Sequence, residues 1–295
     1  MDLVRALEMT EPRMLDGAMG TELAAAGLEM GGQSCLSHPE AVLAVHRSYV
    51  ECGVDMLITN TLTMNRLAIE HHRLDVDVHD VNVAGARLAR QAATGGQAVL
   101  GDISGTGQLL EPYGTLPEAA AYAAFYEQAT ALVDGGVDGF LIETMFDLHE
   151  AVVALRACRD VAKASGRPLP AMVTMAFATP ARGGRTLMGN TAKACAEALS
   201  AEGAAAIGAN CGDLGPAQLA EIVATLTAAT SLPVLVQPNA GTPRLEGSRT
   251  VFDLSAQAFA EGMALCLAAG ARLVGGCCGT NASHIQALAA LLGRA

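Results

Sequence analysis

Basic residues are scarce in this 295-residue chain: eighteen Lys and Arg stand against thirty Asp and Glu, for a formal charge of −12. A surface for nucleic acid or anionic membrane needs a basic patch to meet phosphate, so neither partner class is expected. Long apolar runs are missing as well. No uncharged run reaches the roughly 18–20 residues of a membrane span, and the Ala-rich stretch 119–133 is broken by Tyr122, Tyr126, Glu127 and Gln128. The first fourteen residues carry Asp2, Glu8 and Glu11 and no apolar core, so a secretory leader is not expected and a cytoplasmic location is. Aromatic residues are only 3% of the chain, with no Trp. Against these scarcities, 51% of the residues are hydrophobic and eight are Cys. Such apolar content buries a large core and excludes a disordered or fibrous chain. With no leader in view, the cysteines read as reduced thiols or metal ligands in place of a disulfide framework.

What is present is a repeat. Eight short apolar runs, at 13–16, 55–60, 98–104, 139–144, 171–177, 205–211, 233–239 and 271–278, are each followed by a longer helical pattern. Near-continuous apolar runs bounded by Gly or Pro predict strands buried on both faces of a parallel sheet. Pro39, Pro117 and Pro216 fall where a first helical turn tolerates proline. Gly53, Gly135, Gly136, Gly203 and Gly270 precede strands, as helix C-caps do. Eight strand–helix units with no linker or composition shift predict an α/β fold, a single (β/α)8 TIM barrel over residues 1–295.

In such a barrel the chemistry sits at the C-terminal strand ends. Here those ends carry Asp16, Asn60, Asp102, Glu143, Asn210, Cys211, Asn239, Cys277 and Cys278. Cys211 ends the sixth run, and Cys277 with Cys278 ends the eighth, one strand away across the mouth. Adjacent cysteines reach one ion only if the strand stops there, and Gly275, Gly276 and Gly279 give the backbone that freedom. Three thiolates with an open fourth position describe a catalytic zinc site. Cys52, Cys158, Cys195 and Cys266 lie in helical patterns and read as small core residues, and Cys35 as an incidental loop residue. The histidines form no cluster: His71, His72 and His79 read as solvated, and His38, His46, His149 and His284 as scattered at helix starts or faces. Zinc with three thiolates carries one net negative charge, so it activates water poorly but suits a fourth thiol bound as thiolate. The chemistry implied is alkyl transfer to a thiol.

These residues resemble the zinc-dependent homocysteine S-methyltransferase family across nearly the whole chain. The resemblance runs through LDGAMGT at 15–21, TNT at 59–61, IET at 142–144, GANCG at 208–212, QPNAG at 237–241 and GGCCGT at 275–280. It implies that Cys211, Cys277 and Cys278 are the zinc ligands and centre of catalysis. It implies that Asp16 and Glu143 hold the homocysteine ammonium, and that the backbone N–H groups of Gly17 and Ala18 receive its carboxylate. The plainer alternatives are a helix N-cap for Asp16 and a buried ion pair with an Arg for Glu143. Asn60, Asn210 and Asn239 would orient loops or ligands.

Within the family the text is most similar to the homocysteine module of cobalamin-dependent methionine synthase. TNT at 59–61 followed by Asn65, and GTG at 105–107 leading to LEPYG at 110–114, carry that likeness, although Leu62 replaces a usual Phe and the third strand reads GDISGTG. The sequence stops at Ala295 with no complete corrinoid motif, so the methyl donor is expected from outside, first a methyl-corrinoid (methylcobalamin) protein in trans. Betaine or another onium compound, S-methylmethionine, and a different acceptor thiol remain alternatives. Betaine needs an aromatic cage, which four Tyr and no Trp supply poorly; Tyr113 is the one candidate member. A non-enzymatic thiol-binding module is the rival from another class, opposed by the Asp16 and Glu143 pair. A phosphate-binding aldolase barrel fails because no Lys ends a strand.

Overall fold

The computed structural model describes residues 2–178, 184–246 and 249–294, so residues 1 and 295, the ends of the expected domain, lie outside the described residues. Eight parallel strands form one sheet: β1 (Arg13–Met14), β2 (Met56–Ile58), β3 (Ala98–Ile103), β4 (Gly139–Met145), β5 (Ala171–Met175), β6 (Ala206–Asn210), β7 (Val234–Gln237) and β10 (Ala271–Val274). Their order in the sheet is β1-β10-β7-β6-β5-β4-β3-β2. A parallel bridge from Leu15 to Met56 joins the first strand to the second and closes the ring. The (β/α)8 barrel expected from the eight apolar runs is the observed fold.

Each strand feeds a helix whose apolar stripe covers the sheet. The principal ones are α4 (Pro39–Glu51), α6 (Val78–Ala92), α7 (Glu118–Gly135), α8 (Leu148–Ser165), α9 (Ala192–Ala201), α10 (Pro216–Ala229), α11 (Ala256–Ala268) and α12 (Ala282–Leu291). Pro39 and Pro216 open their helices; Pro117 stands one residue earlier, as the N-cap. Cys52, Cys158, Cys195 and Cys266 are buried in this helical shell, as expected. Cys35 is not a loop residue: it lies in α3 (Ser34–Ser37), buried, with its thiol donating to the Asn60 carbonyl. A hairpin of β8 (Arg244–Glu246) and β9 (Arg249–Val251) sits between β7 and α11.

The barrel interior is layered by the two-residue period of the strands. Leu15, Met56, Leu100, Leu141, Met172, Leu235 and Leu273 pack into one apolar cluster, plugged by Leu3, Ala6 and Leu7 of α1 (Leu3–Glu8). Two residues further along, the same inner face carries Asp102 on β3, Glu143 on β4, Thr174 on β5 and Gln237 on β7. Strands end earlier than the apolar runs did. β1 stops at Met14, β6 at Asn210 and β10 at Val274, which leaves Asp16, Cys211, Cys277 and Cys278 on turns.

Candidate metal centre and substrate pocket

Cys211, Cys277 and Cys278 converge at the barrel mouth, with all three sulfurs within 4.8 Å of one another. Cys278 Sγ lies 4.0 Å from both Cys211 Sγ and Cys277 Sγ. Two backbone features make this meeting possible. Cys211 adopts a left-handed φ of +52°, which costs a non-glycine residue about 1–3 kcal/mol and re-aims its side chain. Gly275, just past the end of β10, passes so close to the segment after β1 that a Cβ would lie 2.9 Å from the Asp16 carbonyl oxygen.

The donor set fits a soft divalent metal. Hydrogen bonds from the Cys277 and Cys278 thiols hold the Cys211 thiol well below its usual range, and the same bonds push Cys277 up. Three sulfurs this close ionise together only around a cation, and a sulfur-only set with room for another ligand suits zinc. Outside the cluster the cause differs: burial alone pushes Cys158 up, as expected of an inert core residue.

Beside the sulfurs opens a cavity of about 290 Å³ lined by Gly17, Ala18, Asn60, Asp102, Glu143, Gln237, Cys277 and Cys278 among others. That is at the lower end of ligand-site volumes, roughly 300–1,000 Å³, so it takes a compact ligand. Glu143 is buried, and burial followed by the negative charge at Cys211 pushes its carboxyl well above the usual range. It has no ion-pair partner among the described residues. Instead Asn210 Nδ2 donates to Glu143 Oε2 at 3.1 Å. Asn210 is a hub: its Oδ1 accepts from the Thr144 amide and the Thr174 hydroxyl, and its Nδ2 also reaches Thr144 Oγ1 and, at 3.8 Å, Cys277 Sγ. One amide therefore ties the carboxylate to the sulfur cluster. Thr144, next to Glu143, is the second strained residue here, with φ +58°.

Asp16 does not cap a helix. The N-cap of α2 (Gly20–Ala25) is Met19, and Asp16 Oδ2 instead accepts from the Ile58 amide at 3.0 Å. Its Oδ1 is buried without a partner among the described residues, and burial pushes its carboxyl well above the usual range. At the expected carboxylate seat, the Ala18 N–H donates to Thr280 Oγ1 at 3.0 Å, whereas the Gly17 N–H has no partner among the described residues. Tyr49 Oη, donating to the Ala18 carbonyl at 2.7 Å, fixes this turn from below. A Cβ on Gly17 would lie 2.8 Å from that same oxygen, so only glycine fits.

Asn60 anchors a loop by donating to the Gly31 carbonyl, and Asn239 donates to the Gly212 carbonyl beside Cys211. Tyr113 is 76% exposed and lines a separate cleft with His149 and Asn190. Sequence reasoning missed Tyr49, Thr280 and Gln237. Thr280 was visible inside the GGCCGT string, whereas Tyr49 sits in an ordinary helical pattern and sends no local signal.

The sequence profile of a family described as homocysteine S-methyltransferase matches residues 13–292. The chain is 33% identical over 291 residues to the methionine synthase of Mycobacterium tuberculosis and 32% identical over 295 residues to that of Mycobacterium leprae. These matches take in 93% and 95% of this chain but only 24% of each relative, so the chain spans a small part of their length. The fold is similar to crystal structures of the homocysteine methyltransferase MmuM from Escherichia coli, at 24% identity over 98% of this chain and 99% of that one. The TM-score is 0.76 for the metallated form and 0.74 for the apo form.

Proposed function

Because the chain belongs to the homocysteine S-methyltransferase family, we propose that it transfers a methyl group to the thiol of homocysteine, forming methionine, with zinc held by Cys211, Cys277 and Cys278. The observation that carries this is the junction of the three sulfurs with a compact cavity walled by Glu143 and Asp102. When bound, zinc lets a substrate thiol lose its proton at neutral pH. The chain's own residues do the rest. Glu143, steadied by Asn210, and Asp16, steadied by the Ile58 amide, seat the ammonium. The Gly17 N–H receives the carboxylate, with Thr280 and Tyr49 holding the turn that presents it. Two anchored ends leave the sulfur of the bound amino acid little freedom, and that alignment lowers the barrier. The sulfur then forms its bond to the methyl carbon as the donor's bond to that carbon breaks, while the thiol proton goes to solvent.

For the donor, we favour a methyl-corrinoid carried by a separate protein. Among the described residues, no aromatic side chain lines the cavity, so a quaternary ammonium donor such as betaine finds no cage there. The test is methionine formation by zinc-loaded protein from homocysteine with methylcobalamin, with betaine and S-methylmethionine run in parallel. Turnover with methylcobalamin alone supports the reading. Turnover with an onium donor alone moves the protein to small-molecule methyl donors, and silence with all three overturns homocysteine methylation.

A further inference from the structure

Asp102 and Glu143 line the cavity, the Asp16 carboxyl lies close enough to influence both, and none of the lining residues is Lys or Arg. Two of the three are tied to the framework, Asp16 by the Ile58 amide and Glu143 by Asn210. The third, Asp102, takes one hydrogen bond at its carboxyl, from the Ile103 backbone, and is otherwise held through its own main chain. The Asp102 N–H donates to Thr59 Oγ1 at 2.9 Å, and its carbonyl accepts from Thr61 Oγ1 at 2.8 Å and from Gln128 Nε2. That clamp fixes where the side chain starts, and of the carboxylate itself only one oxygen is engaged, by the Ile103 backbone. Asp102 is 5% exposed, yet its Oδ1 has no hydrogen-bond partner among the described residues. A carboxylate kept at this depth for structure alone would have both oxygens bonded or ion-paired, because leaving a buried acceptor open costs free energy.

Two other acceptors are in the same condition around it: Asp16 Oδ1 and Gln237 Oε1, both buried without partners among the described residues. A primary ammonium brings three N–H donors and one positive charge, which matches several unbonded acceptors of acidic character better than a hydroxyl or a thiol does.

We propose that Asp102 contacts the substrate and selects for thiols that carry a free α-ammonium group, completing an anionic seat with Asp16 and Glu143. The assignment rests on the reading that the pocket takes homocysteine, and it adds a specificity-determining residue to that site. The two-residue step from Leu100, in the apolar layer, to Asp102 places this side chain on the inner face of β3.

The test is calorimetric binding to the zinc-loaded full chain, with two ligands. One is L-homocysteine; the other is 4-mercaptobutanoate, the same thiol and carboxylate without the amine. Wild-type protein prefers homocysteine. Asp102→Asn weakens homocysteine by at least about tenfold, the scale of one charge-assisted hydrogen bond, and leaves 4-mercaptobutanoate within about twofold. Asp102→Ala, which leaves no amide to stand in, narrows the preference in the same way. An unchanged preference ratio in both variants overturns the assignment alone. So does loss of zinc or a lowered melting temperature in both, since removing an unpaired buried carboxylate should leave stability equal or higher. Wild-type protein that binds neither thiol overturns the homocysteine reading, and this assignment with it.

Discussion

Floor and mouth of the barrel are built on the same strands, one side-chain layer apart, and they obey opposite rules. At the floor, Leu100, Leu141, Met172 and Leu235 interlock and are fully buried. One step along the same strands stand Asp102, Glu143, Thr174 and Gln237, also buried but polar. The lower layer stabilises the fold through apolar burial, at roughly 1.5–3 kcal/mol for each large side chain. The upper layer opposes folding, because its carboxyls are desolvated without cations beside them. What separates the two is what each is complementary to: the floor to itself, the mouth to a charged ligand and a metal.

The sharpest way to break this contrast is to move a carboxylate down one layer. Leu141→Asp should destabilise the protein by more than about 4 kcal/mol in urea unfolding, since nothing at that depth can pair with it. A loss under about 1 kcal/mol would erase the distinction between the layers. The opposite substitution at the mouth should spare the fold and abolish the chemistry. Cys277→Ala should melt near wild type yet lose its zinc by metal analysis, and methionine formation should drop at least about a thousandfold. Full turnover by metal-free Cys277→Ala protein would remove the basis for a zinc role.

A third polar group sharpens the comparison because it lies in neither layer. His46 is fully buried in α4, both ring nitrogens lack partners among the described residues, and burial pushes its imidazole down to about 4. The unfolded chain binds this proton below its ordinary pKa of about 6.5, whereas the folded chain resists until about pH 4. Stability therefore falls as pH drops through that window, by about 3 kcal/mol in total. His46→Leu should flatten that acid limb in urea titrations at pH 7, 5.5 and 4; an unchanged slope would show that other groups carry it. The smallest expected effect is at the ammonium seat. Glu143→Gln keeps the Asn210 contact in shape but removes a charge, so KM for homocysteine should rise about ten- to a hundredfold with little change in melting temperature. An unaltered KM would place the ammonium elsewhere.

Much of this was legible from the letters. Eight apolar runs gave the barrel because parallel strands buried on both faces leave a composition signal that needs no partner to be read. The three cysteines were legible because GGCCGT and ANC concentrate rare residues at strand ends. The histidine reading held for His71, His72 and His79, which are exposed, and for His46, which lies on a helix; that its face is the buried one is not written in the helical pattern. The hydrogen bonding at the Gly17 and Ala18 turn was not legible. Nothing near Ala18 in sequence shows that Thr280, 262 positions away, takes its N–H.

The sequence by itself determined the period: which residues point inward, and which element types reach the mouth. Those are local properties, set by backbone geometry and the alternation of side chains. Only the tertiary structure decided which inward polar atoms are satisfied and which are left open. Asn210 bonded on every side, Ala18 closed by Thr280, and Asp102 Oδ1 left without a partner among the described residues are outcomes of ring closure, which brings side chains from distant strands within hydrogen-bond range. A hydrogen bond is decided over about 3 Å, and that distance exists only once the barrel has closed.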